Sequence, residues 1–243
     1  MHMQIEPSRL CGQVTAPPSK SYAHRWLIAA ALADKPTEII GLSDAKDIEM
    51  TITALRALGM KMEGDTVYPA RPGKTALMLC GESGTTLRLL LPVTAALGIE
   101  ARFIATGRLP ERPLGPLVDM MQAHAVSFDK TTLPFTISGR MTAGQFSLPG
   151  NVSSQFISGL MFALQILDSG SVIHVTTPLE SAAYVDMTLE VLDRFGVFAT
   201  IREDGFLLPG SQRYRTPGRV EVEGDWSGAA FFLVAGALGG GIT

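Results

Sequence analysis

Lys20 and Arg25 stand at the start of a stretch, Trp26–Ala33, that is otherwise wholly apolar. A cation in the first turn of a helix opposes the helix dipole by about 0.3–1 kcal/mol, and a bound anion is the natural counterweight. The turn that carries them, Ser19-Lys20-Ser21, has three counterparts: Glu82-Ser83-Gly84-Thr85, Ser153-Ser154-Gln155 and Asp225-Trp226-Ser227. Each is small and polar and opens an alanine- and leucine-rich segment, which suits an N-cap. A helix mouth presents unpaired N–H groups and a partial positive charge, and so accepts anions. Taken singly, each turn is a helix cap. Several aimed at one point, with the hydroxyls of Ser153 and Ser154 and the charges of Lys20 and Arg25, make a phosphate cradle. Thr106–Asp119, TGRLPERPLGPLVD, adds Arg108 and Arg112 ahead of a helix whose entry Pro113 and Pro116 stiffen. The planar fork of arginine fits carboxylate or phosphate, although a solvated loop is the plainer reading of either residue alone.

The elements that position these residues recur. Thr53–Gly73, Leu117–Gly139 and Thr188–Gly210 each run from a helix end through an apolar stretch, a polar turn and a second apolar stretch to a glycine. The helix ends, Gly59, Ala125 and Gly196, are 66 and 71 residues apart, and so are the closing glycines Gly73, Gly139 and Gly210. Upstream of each lies a capped helix and then a strand-like stretch: Thr37–Ile40, Ala101–Ala105 and Ser171–Val175. One unit therefore reads helix, strand, helix, strand, strand, with the last pair joined by turns such as Glu203-Asp204-Gly205, between Val197–Ile201 and Phe206–Leu208. The first helices, WLIAAALA, LLLPVTAAL, FISGLMFAL and FFLVAGAL, are apolar on nearly every side and must be buried on nearly every side. The expected fold is α/β: a pseudo-threefold arrangement with buried helices inside and small sheets outside. A fourth unit begins at Ser227–Leu238, turns at Gly239-Gly240-Gly241 and ends as Ile242-Thr243 begin a strand, so the chain is expected to be part of a longer one.

The bulk numbers limit the alternatives. The chain has 243 residues, 46% hydrophobic, with a net charge of −3 and a mean hydropathy of +0.23. That is enough apolar material for a sizeable core, and there is no overall basic field for nucleic acid or an anionic membrane. Cys11 and Cys80 are distant, and the four histidines, His2, His24, His124 and His174, are scattered, so neither a disulfide framework nor a metal site is expected. The start of the chain carries no secretory pattern, and the apolar runs are too short to span a bilayer. The expected setting is cytoplasmic.

Six blocks, in order, resemble the 3-phosphoshikimate 1-carboxyvinyltransferase (5-enolpyruvylshikimate-3-phosphate synthase) family. They are PPSKSYAHRWLIAAALA, CGESGTTLRLLLPV, ERPLGPLVD, NVSSQFISGLM, SAAYVDMTLEVLDRFG and VEGDWSGAAFF. The resemblance runs from about Gly12 to Thr243 and implies the inside-out α/β barrel of enolpyruvyl transferases. It also implies transfer of the enolpyruvyl group of phosphoenolpyruvate to the 5-hydroxyl of shikimate 3-phosphate, with release of phosphate and no cofactor. By resemblance Lys20 touches both substrates. Ser21 and Arg25 hold the shikimate hydroxyls and carboxylate, and Ser153, Ser154 and Ser181 grip its phosphate. Gln155 contacts both ligands with Tyr184 nearby, and Gly84 and Arg112 lie at the phosphoenolpyruvate site.

Two positions depart from the family pattern. Glu82 stands where asparagine is usual, which places a carboxylate near two anions, and Leu89 stands where proline is common. The related UDP-N-acetylglucosamine enolpyruvyltransferase carries a reactive cysteine ahead of its Arg-Pro element and a Lys-Asn motif. Here Ala105–Pro116 has no cysteine and Ser21 follows Lys20. By resemblance, residues 1–17 begin a first domain, 18–224 form a substrate-binding second domain of three repeats, and 225–243 begin the return. The groups that manage proton transfer lie in the returning half, so this chain is expected to bind shikimate 3-phosphate without turnover and to have that half as its partner. A reading from a different class is a non-catalytic repeat scaffold whose polar turns are only caps.

Overall fold

The computed structural model describes residues 10–239, 241 and 242. After a short strand β1 (Cys11–Gly12), the first unit comprises α1 (Lys20–Leu32), β2 (Thr37–Ile40), α2 (Lys46–Ala57), β3 (Lys61–Glu63) and β4 (Thr66–Tyr68). The second comprises β5 (Thr75–Gly81), α3 (Gly84–Ala96), β6 (Glu100–Ala105), α4 (Gly115–Ala123), β7 (Ser127–Phe128) and β8 (Phe135–Ser138). The third comprises β9 (Gln145–Leu148), α5 (Ser154–Leu164), β10 (Ser171–Val175), α6 (Ala182–Arg194), β11 (Thr200–Arg202) and β12 (Gly205–Leu208). Last come β13 (Arg219–Glu221), α7 (Trp226–Ala237) and β14 (Gly241–Ile242).

Each sheet therefore has one strand more than the unit read from the sequence. The sheets run β13-β2-β4-β3, β5-β6-β8-β7 and β9-β10-β12-β11. In each, the leading strand lies parallel to the second, and the other two form an antiparallel hairpin. The leading strand of the first sheet is β13, which returns from the end of the third unit and closes the ring. At the closure Ser19 N–H donates to the Glu223 carbonyl (2.8 Å), Asp225 N–H donates to that of Pro17 (2.7 Å), and Pro18 bridges Gly224. Parallel partners need a crossover, which a buried helix supplies in the second and third sheets, α3 between β5 and β6 and α5 between β9 and β10.

The strand expected at Val197–Ile201 is shorter, Thr200–Arg202. At Phe198 the backbone bonds to glutamine side chains instead: its N–H donates to Gln212 Oε1 (2.9 Å), and its carbonyl accepts from Gln165 Nε2 (3.2 Å). Backbone polar groups satisfied in this way need no ladder. The expected first strand within residues 1–17 falls partly on residues 1–9, outside the described ones. Of the end-strand Ile242-Thr243, Thr243 is also outside them; Gly241–Ile242 pairs in parallel with β1.

Helices α1, α3 and α5 form the interior, with almost every residue after the first turn buried. The outer helices are amphipathic. Helix α2 buries Ile48, Thr51, Ala54 and Leu55, and α6 buries Val185, Thr188, Val191 and Leu192, the three- and four-residue spacing of a one-faced helix. At about 1.5–3 kcal/mol per fully buried large apolar side chain, the central helices and the faces that the sheets and outer helices turn toward them share the drive to fold. Gly159 of α5 meets the Arg88 carbonyl of α3 so closely that a Cβ there would collide with it. Pro92, inside α3, has no N–H to offer that carbonyl, so the two backbones approach where the ladder is already open. Among the described residues no helix is long and apolar enough to cross a membrane.

Candidate functional site

The four polar turns cap their helices as their residue types suggest. Ser19 Oγ accepts from Tyr22 N–H, Ser83 Oγ from Thr86 N–H, Ser153 Oγ from Gln155 N–H, and Asp225 Oδ1 from Ser227 N–H. Three of these mouths, those of α1, α3 and α5, come to one side of the body. The fourth belongs to α7.

Arg25 lies one turn inside α1 and is only 2% exposed. Its Nε donates to Thr188 Oγ1 (2.8 Å) and one terminal nitrogen to the Ser21 carbonyl (2.8 Å). The other donates to the Tyr184 carbonyl (2.8 Å) and Ser158 Oγ (3.4 Å). These acceptors are all neutral. They account for four of the five N–H groups of a guanidinium and fix its plane. Burial brings its pKa down to about 10, against the pull of Tyr22 and Tyr184, so it remains a cation at neutral pH.

Arg88, on α3, was not singled out in the sequence. It is 7% exposed and bridges two parts of the site: one terminal nitrogen donates to Gln155 Oε1 (3.0 Å) and the other to the Pro113 carbonyl (3.1 Å). Its guanidinium carbon lies 5.4 Å from the centre of the Phe156 ring, and its Nε is buried without a partner. Burial, and then the neighbouring charge of Arg112, lower its pKa. Gln155 in turn donates to Thr85 Oγ1 (2.8 Å), which joins the mouths of α3 and α5. The available signal was the spacing: Arg88 follows Gly84 within one turn, as Arg25 follows Ser21, and it is the sole charge in an apolar helix.

These groups surround a cavity of about 370 Å³. Of the residues expected at the site, Ser21, Arg25, Arg112, Ser153, Ser154, Gln155 and Ser181 line it, together with Tyr184, Thr85 and Arg88. Among the described residues no carboxylate pairs with Arg25, Arg88 or Arg112. Ser181 precedes α6 with its backbone in the left-handed region (φ 59°), and its side chain caps nothing, which leaves the hydroxyl free for another partner. Gly84 lies beside Arg112: a Cβ there would stand 2.9 Å from Nη1, so any side chain would displace the guanidinium.

Lys20 is placed differently. Its Nζ lies 3.2 Å from Asp47 Oδ2, at the start of α2, and it does not line the cavity. Glu82 packs its carboxylate over Gly107, where a Cβ would collide with it, and so faces away from the cavity. Leu89 is fully buried beside Gly159. A larger cavity, about 530 Å³, lies between Val175–Leu179 and the β11–β12 hairpin, but it sets Arg202 against Asp186, Glu203 and Asp204. That balance of charge repels a dianion, whereas the smaller cavity, with three arginines and four serines, attracts one.

Comparison with known proteins gives a consistent picture. The sequence pattern of the EPSP synthase (3-phosphoshikimate 1-carboxyvinyltransferase) family matches residues 5–243. The chain is 41% identical over 253 residues to the 3-phosphoshikimate 1-carboxyvinyltransferase of Clostridium kluyveri, covering 100% of this chain and 59% of that protein. It is 39% identical over 251 residues to that of Clostridium perfringens, covering 98% and 58%. EPSP synthase from Acinetobacter baumannii superposes with a TM-score of 0.79 at 25% identity, over 93% of this chain and 53% of that one. The enolpyruvyl transferase NikO from Streptomyces tendae shares the fold, with a TM-score of 0.64 at 17% identity. The chain thus spans about 59% of the length of the first of these relatives.

Proposed function

The chain belongs to the EPSP synthase (3-phosphoshikimate 1-carboxyvinyltransferase) family, and from that membership we propose that it supplies the shikimate 3-phosphate-binding part of an enolpyruvyl transferase. The reaction joins the 5-hydroxyl oxygen of shikimate 3-phosphate to C2 of phosphoenolpyruvate. The C2–O bond to phosphate breaks, and inorganic phosphate leaves with the proton balance of one hydroxyl. No cofactor is needed. The observation that carries the reading is the set of three arginines without carboxylate partners among the described residues, facing one cavity rimmed by Ser21, Ser153, Ser154 and Ser181.

In this reading the serines at the mouths of α5 and α6 hold the phosphate of shikimate 3-phosphate. Ser21 and the remaining N–H of Arg25 take the ring substituents and carboxylate. Gln155, held by Arg88 and Thr85, lies between the two ligands, while Arg112 beside Gly84 takes phosphoenolpyruvate. Lys20 reaches the ligands by leaving Asp47, a half-exposed pair that holds it by about 0–1 kcal/mol. Residues 18–224 form the substrate domain, and 1–17 and 225–243 belong to a second one. The acid–base groups, typically worth about 10²–10⁴-fold, come from the part of the relatives this chain does not span, so the chain binds without turning over.

Titration calorimetry with shikimate 3-phosphate tests the reading. Binding is expected, with a loss of at least about a hundredfold on Ser153→Ala plus Ser154→Ala, the loss of two hydrogen bonds to a charged group at about 1.5–3 kcal/mol each. No heat from an intact fold would overturn it. An unchanged affinity in the double variant would favour a repeat scaffold whose serines are only caps. Phosphate release is expected to be absent from the chain alone and to appear once the C-terminal part of a relative is added.

A further inference from the structure

His24 lies on α1 between Lys20 and Arg25, and the reading above gives it no work. It is 2% exposed. Its Nδ1 is 2.7 Å from Thr51 Oγ1 on α2, Thr51 Oγ1 is 2.6 Å from Thr86 Oγ1 on α3, and Thr86 Oγ1 donates to Ser83 Oγ at 2.7 Å. Thr51, Thr86 and Ser83 are as buried as His24. Four polar side chains thus run in series from the centre of α1 to the cap of α3, through a core where an unmade hydrogen bond costs the full desolvation of its group. The hydroxyl that closes the series is the one that caps α3, since Ser83 Oγ also accepts from Thr86 N–H.

We propose that His24 is a positioning residue for the mouth of α3, donating from Nδ1 through Thr51 and Thr86 to hold Ser83 and Gly84 against α1 and α2. The direction follows from proton counting. A hydroxyl donates once. With Thr86 donating to Ser83, Thr51 donates to Thr86, and Thr51 then accepts from the imidazole. Burial, opposed by the charge of Asp47, lowers His24 to about 4, so at neutral pH the ring carries one N–H, and the series places it on Nδ1. The backbone carbonyl of Asp47 lies 3.4 Å from both threonine hydroxyls, and the Asp47 carboxylate holds Lys20. The relay therefore ties the anchor of Lys20, which the proposed function has reach both ligands, to the Gly84 turn, which it places at phosphoenolpyruvate. The serine side, at the mouths of α5 and α6, has no link in the series.

The test is carried out by NMR on the whole chain, and its ligand arm rests on the proposed function. In the unsubstituted chain the ¹⁵N shifts of His24 should report the Nδ1–H tautomer; the Nε2–H tautomer would overturn the relay. His24→Leu should speed hydrogen exchange at the Thr86 amide at least about tenfold, the loss of roughly one net hydrogen bond, and leave the Gln155 amide at the mouth of α5 within twofold. His24→Asn, which restores a donor, should return Thr86 to within twofold. Equal acceleration at Thr86 and Gln155, no change at Thr86, or failure of Asn to rescue would each overturn the proposal. Thr51→Val breaks the series at its second link and decides the same question should His24→Leu not fold. With shikimate 3-phosphate present, the phosphoenolpyruvate shift at the Gly84 amide should need about tenfold more ligand in His24→Leu, while shikimate 3-phosphate affinity holds within twofold. If neither ligand binds the unsubstituted chain, the proposed function falls, and the exchange measurement still decides the role of His24.

Discussion

Helices α3 and α7 are both strongly apolar and have opposite surroundings. Each opens on a side-chain cap, Ser83 or Asp225, and continues mainly in apolar residues, leucine, valine and alanine in α3 and phenylalanine, leucine, valine and alanine in α7. In α3 Leu89, Leu90 and Leu91 are fully buried, in a helix packed against α5, α1, α2 and the second sheet, whereas in α7 Phe231 is 82% and Leu233 57% exposed and no residue is buried. The difference shows what an apolar sequence specifies. It states a demand for cover, set by the free energy of apolar surface in water. It does not name the cover, which depends on which other elements close the ring.

Paired truncations should show the contrast at its largest. Leu90→Ala removes side-chain volume from a close-packed interior and should cost about 2–5 kcal/mol, read as a shift in the urea midpoint at constant slope. Leu233→Ala should stay within about 0.5 kcal/mol, as exposed substitutions do. Equal losses would show that α7 is covered in solution. Adding the C-terminal part of a relative should raise the Leu233 cost if, as the proposed function requires, that part docks.

Glycines divide the buried interior from α7 by sign. Gly159→Ala drives a methyl into the Arg88 carbonyl and should cost about 1–3 kcal/mol, as overpacking does. It should also weaken shikimate 3-phosphate binding, because α5 carries Ser153, Ser154 and Gln155 at its mouth. Gly236→Ala in α7 meets nothing nearer than 3.6 Å and should gain up to about 1 kcal/mol of helix propensity. Thermal midpoints of the two variants, moving in opposite directions, would sharpen the contrast; a loss in both would break it.

Local signals explain what the sequence made legible. The caps Ser19, Ser83, Ser153 and Asp225 are set by a residue and its next three neighbours, and the strands Thr37–Ile40 and Ser171–Val175 by short alternation, so both were readable. The leading strands β5, β9 and β13 were not, because each pairs across a helix or, for β13, across the whole ring. The candidate cavity was legible where a polar residue marked a helix mouth: Ser21, Arg25, Ser153 and Ser154 line it, as does Ser181, which only the family resemblance had named. Arg88 was missed because it sits in the body of an apolar helix, where its work depends on Gln155 and Pro113 arriving from other elements. Lys20 was read correctly as a cation at a mouth, but its partner Asp47 belongs to a neighbouring helix that spacing alone does not bring near.

The smallest expected effect tests whether the three units of the body are equivalent. Gly59 and Gly196 end α2 and α6 in the left-handed region, at φ 86° and 67°, and Ala125 holds the same place after α4 at φ 64°. A side chain there costs about 1–2 kcal/mol relative to glycine, offset by the roughly 0.5–1 kcal/mol of chain entropy that glycine loses on folding. Ala125→Gly should therefore stabilise by about 0.5 kcal/mol, and Gly196→Ala, whose Cβ meets nothing nearer than 3.9 Å, should cost about as much. Gly59→Ala should cost several times more, since its Cβ would collide with the Arg71 carbonyl. Urea midpoints in that order would show that the second unit carries a strain its neighbours avoid. A loss of stability on Ala125→Gly would mean that the turn after α4 is held by contacts of the alanine methyl, and that the units differ in packing as well as in backbone.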